Sequence, residues 1–443
     1  MKTVISIIAA ACLGTAALAQ DDMIDSAQRT AAIDELGRLI ADQYYDAEAG
    51  ARIQDTLLSF AETREAGEIG HGGELAAVLT ERLQALDRHF DIQWRGVEEI
   101  ARTRAEWAQA DVASAETEAE PDPDRWASLR RRNFAFADVS VLDGNIGYLN
   151  LTGFAPIEVA EPTAHAALDF IAHTDSVIID LRENGGGAPD MVQYLLSHFL
   201  PEGEALHYNT FRTRVGEVMD MRTLPRHPAG HRPEVPLYIL VSPDTLSAAE
   251  ALAYHLQAMG RAVIVGDVTA GGGNPGDFFL ASTGYSIFIP TATSISPFTG
   301  TNWDGTGVVP DIEIDADDAM DRGLFEIYQR IVETSDDGNA AMIADWLLAP
   351  LSARFSPWTP DTHALMAFVG QYGPRRVWLE GERLMYQRDD RDPTELLPIM
   401  PGTFRFADSE DYLIDFLGYE TGRAEALALR VEGGMTAPAP RSD

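Results

Sequence analysis

The sequence predicts an α/β protein with a helical segment ahead of the core and a small β-domain behind it. Three observations carry that expectation. From residue 127 onward, strand-like apolar runs alternate with helical ones. Two of the strand-like runs end in clusters of three glycines. The 443 residues, 45% hydrophobic and 23% charged, are also too apolar and too evenly mixed for a disordered chain.

Taken in order, Met1-Lys2, an apolar run from position 4 to 18 and Ala17-Leu18-Ala19 describe a secretory signal peptide over residues 1–19. The run is shorter than the roughly 20 apolar residues of a spanning helix. No later segment is apolar for that long, so the mature chain is expected to be exported, periplasmic or secreted, without membrane insertion. Cleavage after Ala19 removes Lys2, the single lysine, and Cys12, the single cysteine. Disulfides, thiolate metal sites and a cysteine nucleophile are then excluded. Residues 20–107 are expected to form a helical N-terminal domain, since apolar residues such as Leu75, Val78, Leu79, Leu83 and Leu86 recur at helical spacing. Residues 108–126 are acidic, small and proline-punctuated, the composition of a solvated linker. The core follows over 127–350, with strands expected at 146–151, 177–181, 237–241 and 262–265 and helices at 159–172, 189–200 and 248–259. From 351 to 443, short alternating runs such as Val377-Trp378-Leu379 and Leu384-Met385-Tyr386, joined by Glu380-Gly381-Glu382, predict a small C-terminal β-domain and tail.

Charge narrows the function classes. Thirty-three Lys and Arg against 70 Asp and Glu give a net charge of −37, a field that repels phosphate backbones and anionic headgroups. Nucleic acid is therefore excluded as a partner.

Chemistry points to three places. Asp180-Leu181-Arg182-Glu183-Asn184-Gly185-Gly186-Gly187 and Thr269-Ala270-Gly271-Gly272-Gly273-Asn274 follow strand-like runs. Glycines there let the backbone approach a ligand and aim N–H groups at developing negative charge. Neither stretch fits a dinucleotide or P-loop pattern. Between them, Ser247-Ala248-Ala249-Glu250 has two readings: a capping box, or a hydroxyl at a helix N-terminus where the N–H of Ala248 stabilises an oxyanion. A serine nucleophile needs a base, and with lysine gone the base is a histidine or a carboxylate. His255 lies eight residues beyond Ser247 on the same helix. That places it about 12 Å away along the axis, out of reach. His89 sits at a helix-to-strand boundary in Asp87-Arg88-His89-Phe90.

Read together with Asn302-Trp303-Asp304-Gly305-Thr306-Gly307-Val308-Val309-Pro310-Asp311, these motifs resemble the tail-specific (C-terminal processing) serine peptidase family, in its branch similar to interphotoreceptor retinoid-binding protein. The resemblance spans roughly residues 24–314. It implies a crotonase-like core of the ClpP/crotonase type and a nucleophile at Ser247. Processing-type members use a serine–lysine pair whose lysine falls at Gly272 here, so this chain departs from them. Other members use histidine and a carboxylate. The Asp87-Arg88-His89 segment matches one such source of histidine, and Asp304 falls where a carboxylate, commonly glutamate, precedes the Gly-Val-x-Pro-Asp ending. The resemblance thus implies catalysis by Ser247, His89 and Asp304, an oxyanion held by the N–H groups of Gly186 and Ala248, and substrate contacts at Gly185 and Gly271. No metal and no organic cofactor is implied, and a peptide or protein is the substrate. The competing expectation is an inactive binder of a hydrophobic ligand or peptide on the same fold.

Overall fold

The computed structural model describes residues 22–116, 126–431 and 433–442. The expected signal peptide and residues 117–125 lie outside the described residues.

Helices α1 (Ser26–Gln43), α2 (Ala47–Ala61), α3 (Arg64–Glu68) and α4 (Gly72–Gln84) lead to strand β1 (Asp91–Trp94) and helix α5 (Val97–Glu116). The side chains of Asp25, Asp46 and Thr63 cap the first three by accepting from free N–H groups of the first turn. Helix α5 runs into the stretch expected to be a linker. Next come α6 (Ala127–Arg131), β2 (Phe136–Leu142), β3 (Ile146–Leu151), α7 (Ile157–Phe170), β4 (Ser176–Asp180), α8 (Pro189–His198), β5 (His207–Thr213) and β6 (Val218–Arg222). They are followed by β7 (Leu237–Val241), α9 (Ala248–Ala258), β8 (Val263–Gly266), β9 (Gly276–Ala281), β10 (Tyr285–Pro290), β11 (Ala292–Ile295) and β12 (Ile312–Glu313).

A six-stranded sheet, in the order β12-β8-β7-β4-β3-β2, forms the middle of this unit. β4, β7, β8 and β12 run parallel, with Val177 opposite Leu237 and Leu240 opposite Val265. Every residue of β4 and β7 is buried, as expected of parallel strands covered on both faces. Leu168 of α7, Leu195 of α8 and Leu252 and Leu256 of α9 pack into the same core. Parallel alignment has a consequence for function: the C-terminal ends of β4, β7 and β8 open at one edge, so the turns at 181–187, 242–247 and 267–274 converge there.

Two smaller antiparallel sheets complete the unit, β1-β10-β9 and β11-β5-β6. β5 and β6 occupy a stretch to which the sequence assigned no element. The residues of β6 are exposed or half-buried, so neither alternation nor an apolar run marks it. Ile33, Leu36, Leu57, Leu75 and Leu79 of the N-terminal helices share one apolar core with Tyr285, Ile287 and Ile289 of β10. The helical segment and the strands after the core are thus closed together, within a unit containing the described residues up to 316 except 141–146.

The second unit holds 141–146 and the described residues from 317 on. Helices α10 (Ala319–Thr334), α11 (Gly338–Phe355) and α12 (Thr362–Leu365) precede strands β13 (Gly370–Tyr372), β14 (Arg375–Glu380), β15 (Arg383–Arg388), β16 (Thr394–Met400), β17 (Thr403–Phe406), β18 (Ser409–Leu417), β19 (Ala426–Val431), β20 (Gly434–Met435) and β21 (Ala439–Pro440). β13 to β20 pair antiparallel in chain order, with β21 against β19, in a curled sheet around Phe368, Tyr372, Phe404 and Phe416.

Candidate active site

The three converging turns are tied to one another by side chains. Thr245 Oγ1 donates to Leu181 O (2.8 Å) and the N–H of Leu246 to Asn184 O (3.0 Å), so the turn after β7 is fastened to the turn after β4. Glu250, wholly buried in the first turn of α9, accepts from the N–H groups of Ser247 (2.8 Å), Gly271 (2.7 Å) and Gly272 (2.8 Å) and from Thr269 Oγ1. Burial pushes its carboxyl up against the pull of these four donors. The capping-box pattern in the sequence reports the Ser247–Glu250 contact. It says nothing of the larger one, in which a single carboxylate fixes the 269–272 turn beside Ser247.

Ser247 is held at φ 58°, ψ −117°, an unusual conformation for a residue with a side chain. Such backbone costs about 1–3 kcal/mol and persists only where its surroundings impose it. Here Glu250 and the bonded turns impose it, and the result is a hydroxyl at the N-terminus of α9, beside the N–H of Ala248. Gly186 comes so close that a Cβ there would lie 2.9 Å from Ser247 Cβ and 2.8 Å from Leu246 O, at φ +99°. Only glycine fits.

His89 is carried between α4 and β1, far from Ser247 in sequence, and the fold brings the two to the same cavity of about 90 Å³. Ala248 and Gly272 also line it, with apolar walls from Val192, Phe211 and Phe288. The Cε1–Nε2 edge of His89 faces Gly272: a Cβ at 272 would lie 2.9 Å from Cε1 and 3.1 Å from Nε2. The imidazole therefore fills the space that any side chain at 272 would enter.

The opposite edge of His89 meets Asp87, whose Oδ1 is 3.5 Å from Nδ1 and accepts the His89 backbone N–H at 3.0 Å. Asp87 is buried and its Oδ2 accepts from Tyr44 Oη and Asn274 Nδ2, each at 3.0 Å. Burial raises its carboxyl, but the contact with His89 outweighs burial and leaves it below the usual range. Asp304 lies close to both, within 4.8 Å, with Oδ1 accepting the N–H of Gly273 (3.0 Å). Burial first, and then the charge of Asp87, push its carboxyl up to about 6.

Ser247, His89, Asp304 and Ala248 are thus gathered in one place. The remaining expected residues are placed differently. The N–H of Gly186, expected to face an oxyanion, donates to Asn184 Oδ1 at 2.8 Å. Gly271, expected to contact substrate, spends its N–H on Glu250 and its carbonyl on the N–H of Gly305 (2.9 Å). Gly185 is exposed, and neither it nor Gly271 lines the cavity. Sequence reasoning missed Asp87 as the carboxylate nearest His89. The signal was present in Asp87-Arg88-His89, where an acid two residues ahead can bond the histidine's backbone N–H.

Residues 145–314 match the model described as peptidase family S41. The chain is 27% identical over 207 residues to carboxyl-terminal-processing peptidase 3, chloroplastic, of Arabidopsis thaliana, covering 45% of this chain and 39% of that protein. It is 29% identical over 180 residues to the carboxy-terminal-processing protease of Bartonella bacilliformis, covering 39% of this chain and 40% of that one. The chain thus spans about two fifths of the length of these curated relatives. Among solved structures, the photosystem II D1 C-terminal processing protease aligns with a TM-score of 0.40 and 16% identity, over 66% of this chain and 94% of its own. The likeness to peptidase family S41 is thus carried by residues 145–314, the part of the chain that holds Ser247, Gly272 and Asp304.

Proposed function

We propose that the mature protein is an exported serine peptidase with a crotonase-like core that cleaves peptide bonds without a lysine base. Ser247 Oγ attacks the scissile carbonyl while His89 Nε2 takes its proton and then returns it to the leaving amine. Water, activated by the same imidazole, hydrolyses the acyl-enzyme. Asp87, beside Nδ1, holds the ring's orientation and tautomer, and Asp304 adds a second carboxylate whose field favours the imidazolium as it forms. The oxyanion takes the N–H of Ala248 at the start of α9 and that of Gly186, which exchanges Asn184 Oδ1 for the substrate oxygen.

One observation carries this reading: the His89 ring occupies the space in front of residue 272, at the cavity it shares with Ser247 and with a buried carboxylate behind it. Where processing-type relatives place a lysine, this chain has a glycine that makes room for a histidine from another part of the chain. Residues 96–142, between the helices and the core, are too short and too acidic for a PDZ domain, which separates the chain further from the tail-tethering branch. No helix among the described residues is long and apolar enough to cross a membrane.

A second reading, an inactive binder of a hydrophobic ligand or peptide, draws support from the Gly186 N–H, which is already engaged by Asn184. A fluorophosphonate probe separates the two. On the peptidase reading, the mature wild type is labelled at Ser247, located by peptide mass, while Ser247→Ala and His89→Ala are not. Absence of label on folded wild type, together with no cleavage of a peptide library, would falsify the peptidase and leave the binder.

A further inference from the structure

The group behind the proposed base is rich in acceptors and poor in cations. The nearest ligand atoms of Asp87, His89 and Asp304 lie within 4.8 Å of one another. The His89 side chain is only 7% exposed, and neither ring nitrogen has a hydrogen-bond partner. Asn274, wholly buried, gives its Nδ2 to Asp87, and its Oδ1 has no partner. Two carboxylates and an imidazole nitrogen thus converge, with the Asn274 amide bonded to one of the carboxylates and no arginine among them. Buried like charges of this kind call for a cation.

We infer that Asp87, His89 and Asp304, with Asn274 Oδ1 as a fourth donor, form a site for a divalent transition metal that reversibly blocks the peptidase by taking the lone pair of its base. One nitrogen and three oxygens suit zinc and its neighbours rather than a soft-metal site. Tetrahedral zinc, with bonds of 2.0–2.2 Å, sets its ligands about 3.4 Å apart, so side-chain shifts of about 1 Å close the cage. The Nδ1 edge of His89 faces Asp87, which directs the metal to that nitrogen. An imidazole ligated through Nδ1 carries its remaining proton on Nε2. It then has no lone pair to accept the serine's proton, and Ser247 stays a neutral hydroxyl.

The blocking half rests on the peptidase reading; the binding half does not. The test is therefore zinc titration by calorimetry on the purified mature chain, alongside fluorophosphonate labelling. We expect one zinc per chain with micromolar or tighter affinity, equally in the wild type and in Ser247→Ala. Binding should weaken at least tenfold in His89→Gln and in Asp304→Asn. His89→Gln removes no ring hydrogen bond, and its thermal unfolding reports whether it folds. Labelling of Ser247 should slow in zinc and recover on chelation. Affinity unchanged by His89→Gln overturns the site, and labelling that ignores bound zinc overturns the block. A wild type that never labels disproves the peptidase, while the calorimetry still decides whether the metal site exists.

Discussion

Two buried histidines meet consecutive residues, His255 the ring of Trp303 and His89 the carboxylate of Asp304. His255, on α9, is enclosed by the rings of Tyr208, Tyr254 and Trp303 at 5.3, 5.7 and 5.7 Å between centroids. His89 is framed instead by Asp87 and Asp304, and Asp304 is the residue that follows Trp303. The same side chain thus meets aromatic faces in one place and carboxylates in the other. Burial alone drives His255 down to about 3, so it stays neutral at any ordinary pH and has no acceptor to give a proton to. A caged imidazole is a packing element, whereas an imidazole with a carboxylate beside one nitrogen and a cavity shared with a serine hydroxyl is equipped to move protons.

The contrast is broken most directly by removing each ring. His89→Ala should abolish fluorophosphonate labelling and lower peptide hydrolysis by about 10⁶-fold, the usual consequence of losing the base of a serine triad. His255→Phe should leave both within a few-fold of wild type. Comparable losses in the two variants would show that the carboxylate frame confers nothing special on His89.

The frame can also be disturbed without touching the histidine. Asp87→Asn should cost about 10⁴-fold in kcat, by analogy with the loss of an orienting aspartate, whereas Asp304→Asn should cost about tenfold, because Asp87 stands next to Nδ1. If Asp304→Asn proves the more damaging, the acid expected from sequence is the orienting one after all. Gly272→Ala places a methyl group 2.9 Å from His89 Cε1 and 2.6 Å from Leu246 Cδ1. Displacing the ring by about 1 Å should reduce activity roughly 100-fold, with unfolding curves close to wild type.

The legible parts of this site were those coded locally. Apolar runs at 177–181 and 237–241 marked fully buried parallel strands, and the glycine clusters marked turns where backbone passes close to Ser247. Ser247 and Glu250 read as a capping box because their contact is local. What could not be read depends on residues distant in the chain. Asn274 reaches Asp87 across 187 positions, and Glu250 reaches the 271–272 turn across 21 and 22. Which of two acids stands nearer to His89, and that Asn184 folds back onto Gly186, are likewise set by packing and turn geometry rather than by spacing.

A smaller effect tests the caged side of the comparison. The folded pKa of His255 lies far below the unfolded value of about 6.5. Its neutral form therefore favours folding above pH 6.5, and that advantage is lost as pH falls toward 3. At pH 4.5 the loss comes to about 2–3 kcal/mol as an upper estimate. His255→Phe should recover most of it, seen as a smaller drop in urea midpoint between pH 7.5 and 4.5 than in wild type. An equal drop would place the acid sensitivity elsewhere, with the lowered His198 and His227 as the next groups to replace.

The smallest effect belongs to the framed side and has the opposite sign. Asp304 has its folded pKa raised to about 6 from the ordinary 3.8, so the folded state holds its proton more tightly than the unfolded state does. The stability this contributes is full below about pH 4 and is lost as pH rises through 6. Asp304→Asn removes the charge and keeps an oxygen for the N–H of Gly273, so the variant should be the more stable protein at pH 8 and gain nothing at pH 4. Discounted for partial exposure, the gain is about 1–2 kcal/mol. Measured without added metal, that gain would show that Asp304 is kept charged beside Asp87 at a cost to folding, as expected of a group retained for chemistry. A variant less stable than wild type at pH 8 would instead make Asp304 a structural acceptor for the 273 turn, and the two histidine surroundings would differ less than their chemistry suggests.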